Sequence, residues 1–425
     1  MTVQVSTRRR QEVINALRRG TVPQNGLDVL AVGLDRFTAA LDAELAAVAA
    51  GGGNFKAVRG EYGSGKTFFA RWLAERAKRQ GMAVAEVQIS ETETPLHRLE
   101  TVYRRICESL QTSEFPASAL RAVLDAWLFL LDQEAGDAAE TVLERRLAQV
   151  SRTTPAFAAA LRGYRAALHR DDPATAEGLV AWLGGQPQVA AAVRRAAGVR
   201  GELDHFGAFG FLQGLLTVLR DSGHPGLLVV LDEVETLQRA RSDVRDKALN
   251  ALRQLIDEVD SGRFPGLYLL ITGTPAFFEG PQGVQRLAPL AQRLTTDFTA
   301  DARFDNPRAV QLRLPGFTPE TLRELGARVR NIFAADAADP DRIARLVDDG
   351  YLGDLGIALT GRLGGKVGVA PRLFLKKLIG DVLDRVDQFP DFDPRSDYAL
   401  TLSTTEMSEV ERNVASADDV SLDLP

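Results

Sequence analysis

The residues Gly60-Glu61-Tyr62-Gly63-Ser64-Gly65-Lys66-Thr67 match the spacing G-x-x-x-x-G-K-[ST] without exception. Each residue type has a chemical use at its position. The glycines let the backbone wrap so that its N–H groups converge on phosphate oxygens, and a helix opening near Lys66 adds the positive end of its dipole. Lys66 is placed to reach the β- and γ-phosphates of ATP, and the Thr67 hydroxyl to ligate Mg²⁺. With Phe68, which follows directly, these residues form the expected nucleotide-binding segment. The plainer alternative is a glycine turn that happens to precede a helix. A strand before the loop and a helix after it argue against that alternative.

A second group lies far along the chain. Residues 227–231 are all aliphatic and end in Asp232-Glu233. Such a run reads as a central strand buried on both faces. Asp232, at its tip, would hold Mg²⁺ through the metal's water shell, and Glu233 would orient or deprotonate an attacking water. A glutamate in that place favours hydrolysis over phosphoryl transfer to a substrate, which disfavours a small-molecule kinase. The structural alternative is an N-cap pair ahead of a helix. Glu235 is a weaker candidate, expected on the wrong side of the turn.

Supporting residues are weaker. Thr272 or Thr274, closing a strand at 267–272, would lie between the acidic strand and the γ-phosphate and sense it; threonines that merely end a strand are the plain alternative. Arg372 opens a late helix in Gly368-Val369-Ala370-Pro371-Arg372 and is placed to reach the phosphates from above. Arg293, or Arg303 after it, is the candidate for an arginine finger offered across a subunit interface. Ordinary solvated arginines are the competing reading. The run Arg8-Arg9-Arg10 is expected to be solvated rather than to contact nucleic acid.

The elements that must position these groups follow from the pattern. Helices are predicted at 7–19 and 34–48, a strand at 55–59, a helix at 67–80 and a strand at 83–89, the opening of an α/β domain. Residues 96–210 show helical spacing and no convincing strand, and read as a helical insertion. Strands return at 227–231, 267–272 and 310–314, with a helix at 247–259 between the first two. Helices follow at 318–334, 340–347, 353–363 and 371–386, and 403–425 reads as an acidic, frayed tail.

Composition limits the class. A chain of 425 residues can bury a sizeable core. No apolar run approaches the roughly 18 residues of a membrane span. The net charge of −6 gives no argument for nucleic-acid binding. Cys107 is the single cysteine and reads as an inert core thiol, and the four histidines form no ligand motif. A reducing cytoplasm is the natural compartment.

In this order, the pieces resemble the AAA+ ATPases: glycine loop, Asp232-Glu233, a Thr-ended strand, then a helical segment bearing Pro371-Arg372. Val32-Gly33-Leu34-Asp35-Arg36 is similar to the adenine-holding region of the origin-recognition-like branch. From Phe55 to Phe69 the chain resembles the BrxD-type ATP-binding proteins of BREX phage-defence systems, as do Val87–His97, Arg10–Ile14 and Gly20–Pro23. The resemblance spans about residues 8–385. It implies a P-loop AAA+ core with a parallel sheet, divided as N-terminal helices and start of core (1–95), helical insertion (96–210), remainder of core (211–316), C-terminal helical lid (317–390) and tail (391–425). It also implies Mg²⁺-dependent ATP hydrolysis that drives conformational change or assembly, a homo-oligomer, and other phage-defence proteins as partners. DNA is a further partner to test. The winged-helix domain that usually follows the lid in the origin-recognition branch has no counterpart in the acidic residues after Val386, which argues against duplex binding by that route. A nucleotide-gated scaffold with negligible turnover is the alternative function.

Overall fold

The computed structural model describes residues 6–362 and 371–401. Helix α1 (Thr7–Arg18) starts where the Ser6 hydroxyl accepts the Arg9 N–H. Helix α2 (Asp35–Ala49) buries Phe37, Leu41, Leu45 and Val48 on one face. Strand β1 (Asn54–Arg59) runs into the glycine loop, helix α3 (Lys66–Arg79) leaves it, and β2 (Ala83–Gln88) follows.

Seven helices come next: α4 (Leu99–Glu108), α5 (Leu120–Ala135), α6 (Ala139–Thr153), α7 (Pro155–His169), α8 (Pro173–Leu183), α9 (Ala191–Ala196) and α10 (Gly207–Asp221). Asp172 caps α8, whose first residue is proline, a good N-terminal pair. An antiparallel bridge, Val84 to Gln111, ties this region to β2. Helix α10 crosses residue 210, where the helical stretch was expected to end. The aromatic side chains of Tyr103, Phe157 and Trp182 all pack on Phe211 of α10, with ring centroids 5.7, 5.2 and 5.2 Å away. The core they form is continuous with one face of the sheet. Cys107 lies in it, and burial pushes its thiol up to about 12.

The sheet resumes with β3 (Leu227–Asp232). Helix α11 (Ser242–Asp260), β4 (Leu267–Gly273), the short helices α12 (Pro275–Glu279) and α13 (Ala288–Leu294), and β5 (Gln311–Arg313) complete it. All strand pairs are parallel, in the order β2-β3-β4-β1-β5. Central strands covered on both faces explain the unbroken aliphatic runs of β3 and β4. The register sets Val58 opposite Thr272, Leu231 opposite Ile271 and Gln88 opposite Asp232. The C-terminal tips of β1, β2, β3 and β4 therefore lie side by side.

The remaining helices are α14 (Pro319–Ala334), α15 (Pro340–Leu346), α16 (Asp349–Arg362), α17 (Pro371–Lys377) and α18 (Asp384–Gln388), with a π-helical turn at Leu378–Leu383 between the last two. They share a core with Val13, Ile14 and Leu17 of α1. The N-terminal helix thus packs with the C-terminal helices. Arg10 pairs with Asp336, and Arg18 holds Asp384 at 2.7 and 2.8 Å. Arg9 pairs with Glu75, so two of the three arginines expected to be solvated are engaged with distant elements, while Arg8 stays exposed as expected, beside Glu12 one turn along α1. Gly368, Val369, Ala370 and the tail at 403–425 lie outside the described residues.

Candidate functional site

The glycine loop takes its shape from backbone that only glycine adopts easily. Gly65 stands just before α3 with φ of +90°. A Cβ on Gly60 would lie 2.2 Å from Ser64 Oγ, so the loop closes on itself only without one. Helix α3 begins at Lys66 and presents its N-terminal end to the loop. The Ser64 hydroxyl is buried and has no hydrogen-bond partner among the described residues.

A cavity of about 350 Å³ opens over this loop, a size suited to a small organic ligand. Its floor is Tyr62, Gly63, Ser64, Gly65, Lys66, Thr67 and Phe68. Residues 20–23 and 32–34 form one wall, and 315–317 another. Pro371 and Arg372 close it from α17, and Glu233 and Glu235 reach it from the end of β3. Gly60 and Glu61 lie behind the floor, where their carbonyls accept from Lys66 Nζ at 3.0 and 3.3 Å. The Tyr62 ring lies 5.1 Å from the same ammonium.

Asp232 is fully engaged. Its Oδ2 accepts from the Thr67 hydroxyl at 2.9 Å, and its Oδ1 accepts from the Thr272 hydroxyl and from the Glu233 N–H at 3.1 Å. The Glu233 N–H also donates to Thr272 Oγ1 at 3.2 Å. Thr272 is completely buried and touches Asp232 rather than the cavity. Thr274 is buried at the start of α12, also outside the cavity. Arg293 Nη1 donates to the Pro289 carbonyl at 2.7 Å and the side chain pairs with Asp257, so within one chain it faces α11. Arg303 lies beside Asp301, 3.3 Å away.

Thr67 and Asp232 fit Mg²⁺ in chemical type. They are a hydroxyl and a carboxylate already in contact, hard oxygen donors of the kind that cation accepts. No group of three or more His, Cys, Asp or Glu suited to a metal occurs among the described residues.

One residue at the site escaped the reading of the sequence, and a second was expected in the wrong place. Gln88, at the tip of β2, donates from Nε2 to Glu233 Oε2 at 2.8 Å. Its only signal is a polar residue ending a strand, and pairing with β3 gives it meaning. Glu235 was expected on the far side of the turn, yet its carboxylate is buried 3.6 Å from Lys66 Nζ. The reason is Glu233, whose left-handed backbone (φ +61°, ψ +41°) turns the chain back toward the loop at the start of the 3₁₀ segment Val234–Arg239. Burial pushes the Glu235 carboxyl above its ordinary range; Lys66 opposes that shift, and Asp232 and Glu233 add to it.

A parallel α/β sheet with a glycine loop at the tip of β1 and a carboxylate pair at the tip of β3 defines a P-loop-like core. The chain belongs to the BREX system ATP-binding protein family BrxC/D, whose family model matches residues 5–402. Membership makes it an ATP-binding component of a phage-defence system. No curated protein and no solved structure matches the chain. Among the described residues, no helix is long and apolar enough to cross a membrane.

Proposed function

We propose that the protein is an AAA+ ATPase that binds ATP with Mg²⁺ and hydrolyses it to drive a change of conformation or assembly within the defence system. The observation that supports this most is the convergence of Lys66, Thr67 and Glu233, from two distant stretches of chain, on one cavity, with Asp232 hydrogen-bonded to Thr67 beside it. In this reading the loop N–H groups and Lys66 bind the phosphates, and Thr67 and Asp232 would hold Mg²⁺, which would supply Lewis-acid polarisation of the γ-phosphate. Glu233 takes the proton of the attacking water, with Gln88 holding its carboxylate until then. Thr272 keeps Asp232 oriented. Helices α14–α18 serve as the lid, from which Arg372 reaches toward the phosphates, and α4–α10 as the inserted subdomain. Arg293 is the candidate to act on a neighbouring subunit of a homo-oligomer.

The test is phosphate release by wild type and Glu233→Gln, with and without double-stranded DNA, and mass by light scattering with ATP. Turnover lost in Glu233→Gln, with ATP-dependent assembly, supports the motor or switch, and stimulation by DNA would add DNA as a partner. A nucleotide-gated scaffold is the second reading. It is favoured by the internal pairing of both key side chains, Glu233 with Gln88 and Lys66 with Glu235. Tight ATP binding with no turnover in any condition would select it.

A further inference from the structure

Lys66 and Glu235 form a buried ion pair whose side chains are 8% and 5% exposed. Glu235 Oε1 is 3.6 Å from Lys66 Nζ, and Oε2 is buried without a hydrogen-bond partner among the described residues. Burying a carboxylate with one oxygen unbonded is costly, so the pair is a poor device for stability. The pair also lines the cavity above the glycine loop, where Asp232 and Glu233 supply two further negative charges nearby. Lys66 Nζ already donates to two loop carbonyls, those of Gly60 and Glu61, which leaves one of its three N–H groups for an anion.

We propose that Glu235 is the internal anion that holds Lys66 before nucleotide binds, and that the nucleotide's phosphates displace it, so that this carboxylate sets nucleotide affinity. The inference rests on the nucleotide reading above. Glu235 is a positioning residue, acting through Lys66. Two anions compete for one ammonium, and the resident one must be parted from its cation and left among like charges when the phosphates arrive. Affinity is lowered by that cost, and release of product is eased by the same amount.

The experiment is calorimetric titration of ADP, without metal, into wild type, Glu235→Gln and Glu235→Ala, with thermal unfolding of each free protein. Both substitutions remove the competing charge, and each is expected to tighten ADP binding by about tenfold or more, while the free protein unfolds at the wild-type temperature or below it. A residue with a merely structural role would give weaker binding together with lower stability. Glu235→Ala has no polar group to bury and decides the matter if the glutamine variant does not fold. Affinity unchanged or weakened in the folded variants overturns the inference while leaving the nucleotide site intact. Wild type that binds no ADP overturns the nucleotide reading itself.

Discussion

Glu233 holds a left-handed backbone that a side chain with a Cβ rarely adopts, and its N–H is fixed by Asp232 and Thr272. Strain of this kind costs about 1–3 kcal/mol and persists where surrounding contacts over-determine it. Here it sends Glu233 and Glu235 into the same cavity. Three outcomes are expected at this scale. Lys66→Ala removes the charge proposed to face the phosphates and should weaken ATP binding at least about a hundredfold, read by calorimetry; binding within a few-fold of wild type would exclude Lys66 from the phosphate site. Glu233→Gln should bind ATP normally and release phosphate about 10²- to 10⁴-fold more slowly; an unchanged rate would pass the role to another group. Thr272→Val removes a buried hydroxyl from Asp232 and should cost about 1–3 kcal/mol in denaturant unfolding, with Thr272→Ser recovering most of it.

At the scale of elements, α1 is the joint between the ends of the chain. It packs on the C-terminal helices through Val13, Ile14 and Leu17, and Leu17 also borders the cavity. Leu17→Ala should cost about 2–5 kcal/mol, and should weaken nucleotide binding as well, since the wall at 20–23 hangs from this helix. Loss of stability with full affinity would separate α1 from the site. The hydrogen-bonded Arg10 guanidinium holds the Asp336 carboxyl below the usual carboxylate range. A folded value below the unfolded one means that the pair stabilises the fold above a pH of about 4 and loses that contribution as pH falls through the folded value. The stability gap between wild type and Arg10→Ala should therefore be open at neutral pH and closed in acid; a gap that persisted at low pH would show that Arg10 acts by packing.

For the whole molecule, the helices between β2 and β3 share one core with the sheet, so they are expected to unfold with it. Phe211→Ala, deep in that core, should cost about 3–5 kcal/mol and shift a single cooperative transition seen by both regions; two separate transitions would make the helical segment an independent unit. The chain's own sequence determined the glycine loop, the acidic strand end, the helical stretch and the succession of strands along the chain, because each rests on local spacing: glycines where φ must be positive, aliphatic runs where a strand is covered on both faces, and apolar periods of 3.6. It placed Lys66, Thr67, Asp232 and Glu233 as candidates, and their mutual contact follows from parallel pairing that aligns the strand tips. What only the tertiary structure decided is the company these residues keep. Gln88 reaches Glu233 because β2 lies beside β3 in register. Thr272 turns to Asp232 because β4 separates β3 from β1. Helix α1 joins the far end of the chain because its apolar face finds its partner more than three hundred residues away in sequence. Glu235 enters the cavity over the glycine loop because one residue takes a left-handed turn, and a non-glycine φ of that sign leaves no mark in spacing or composition.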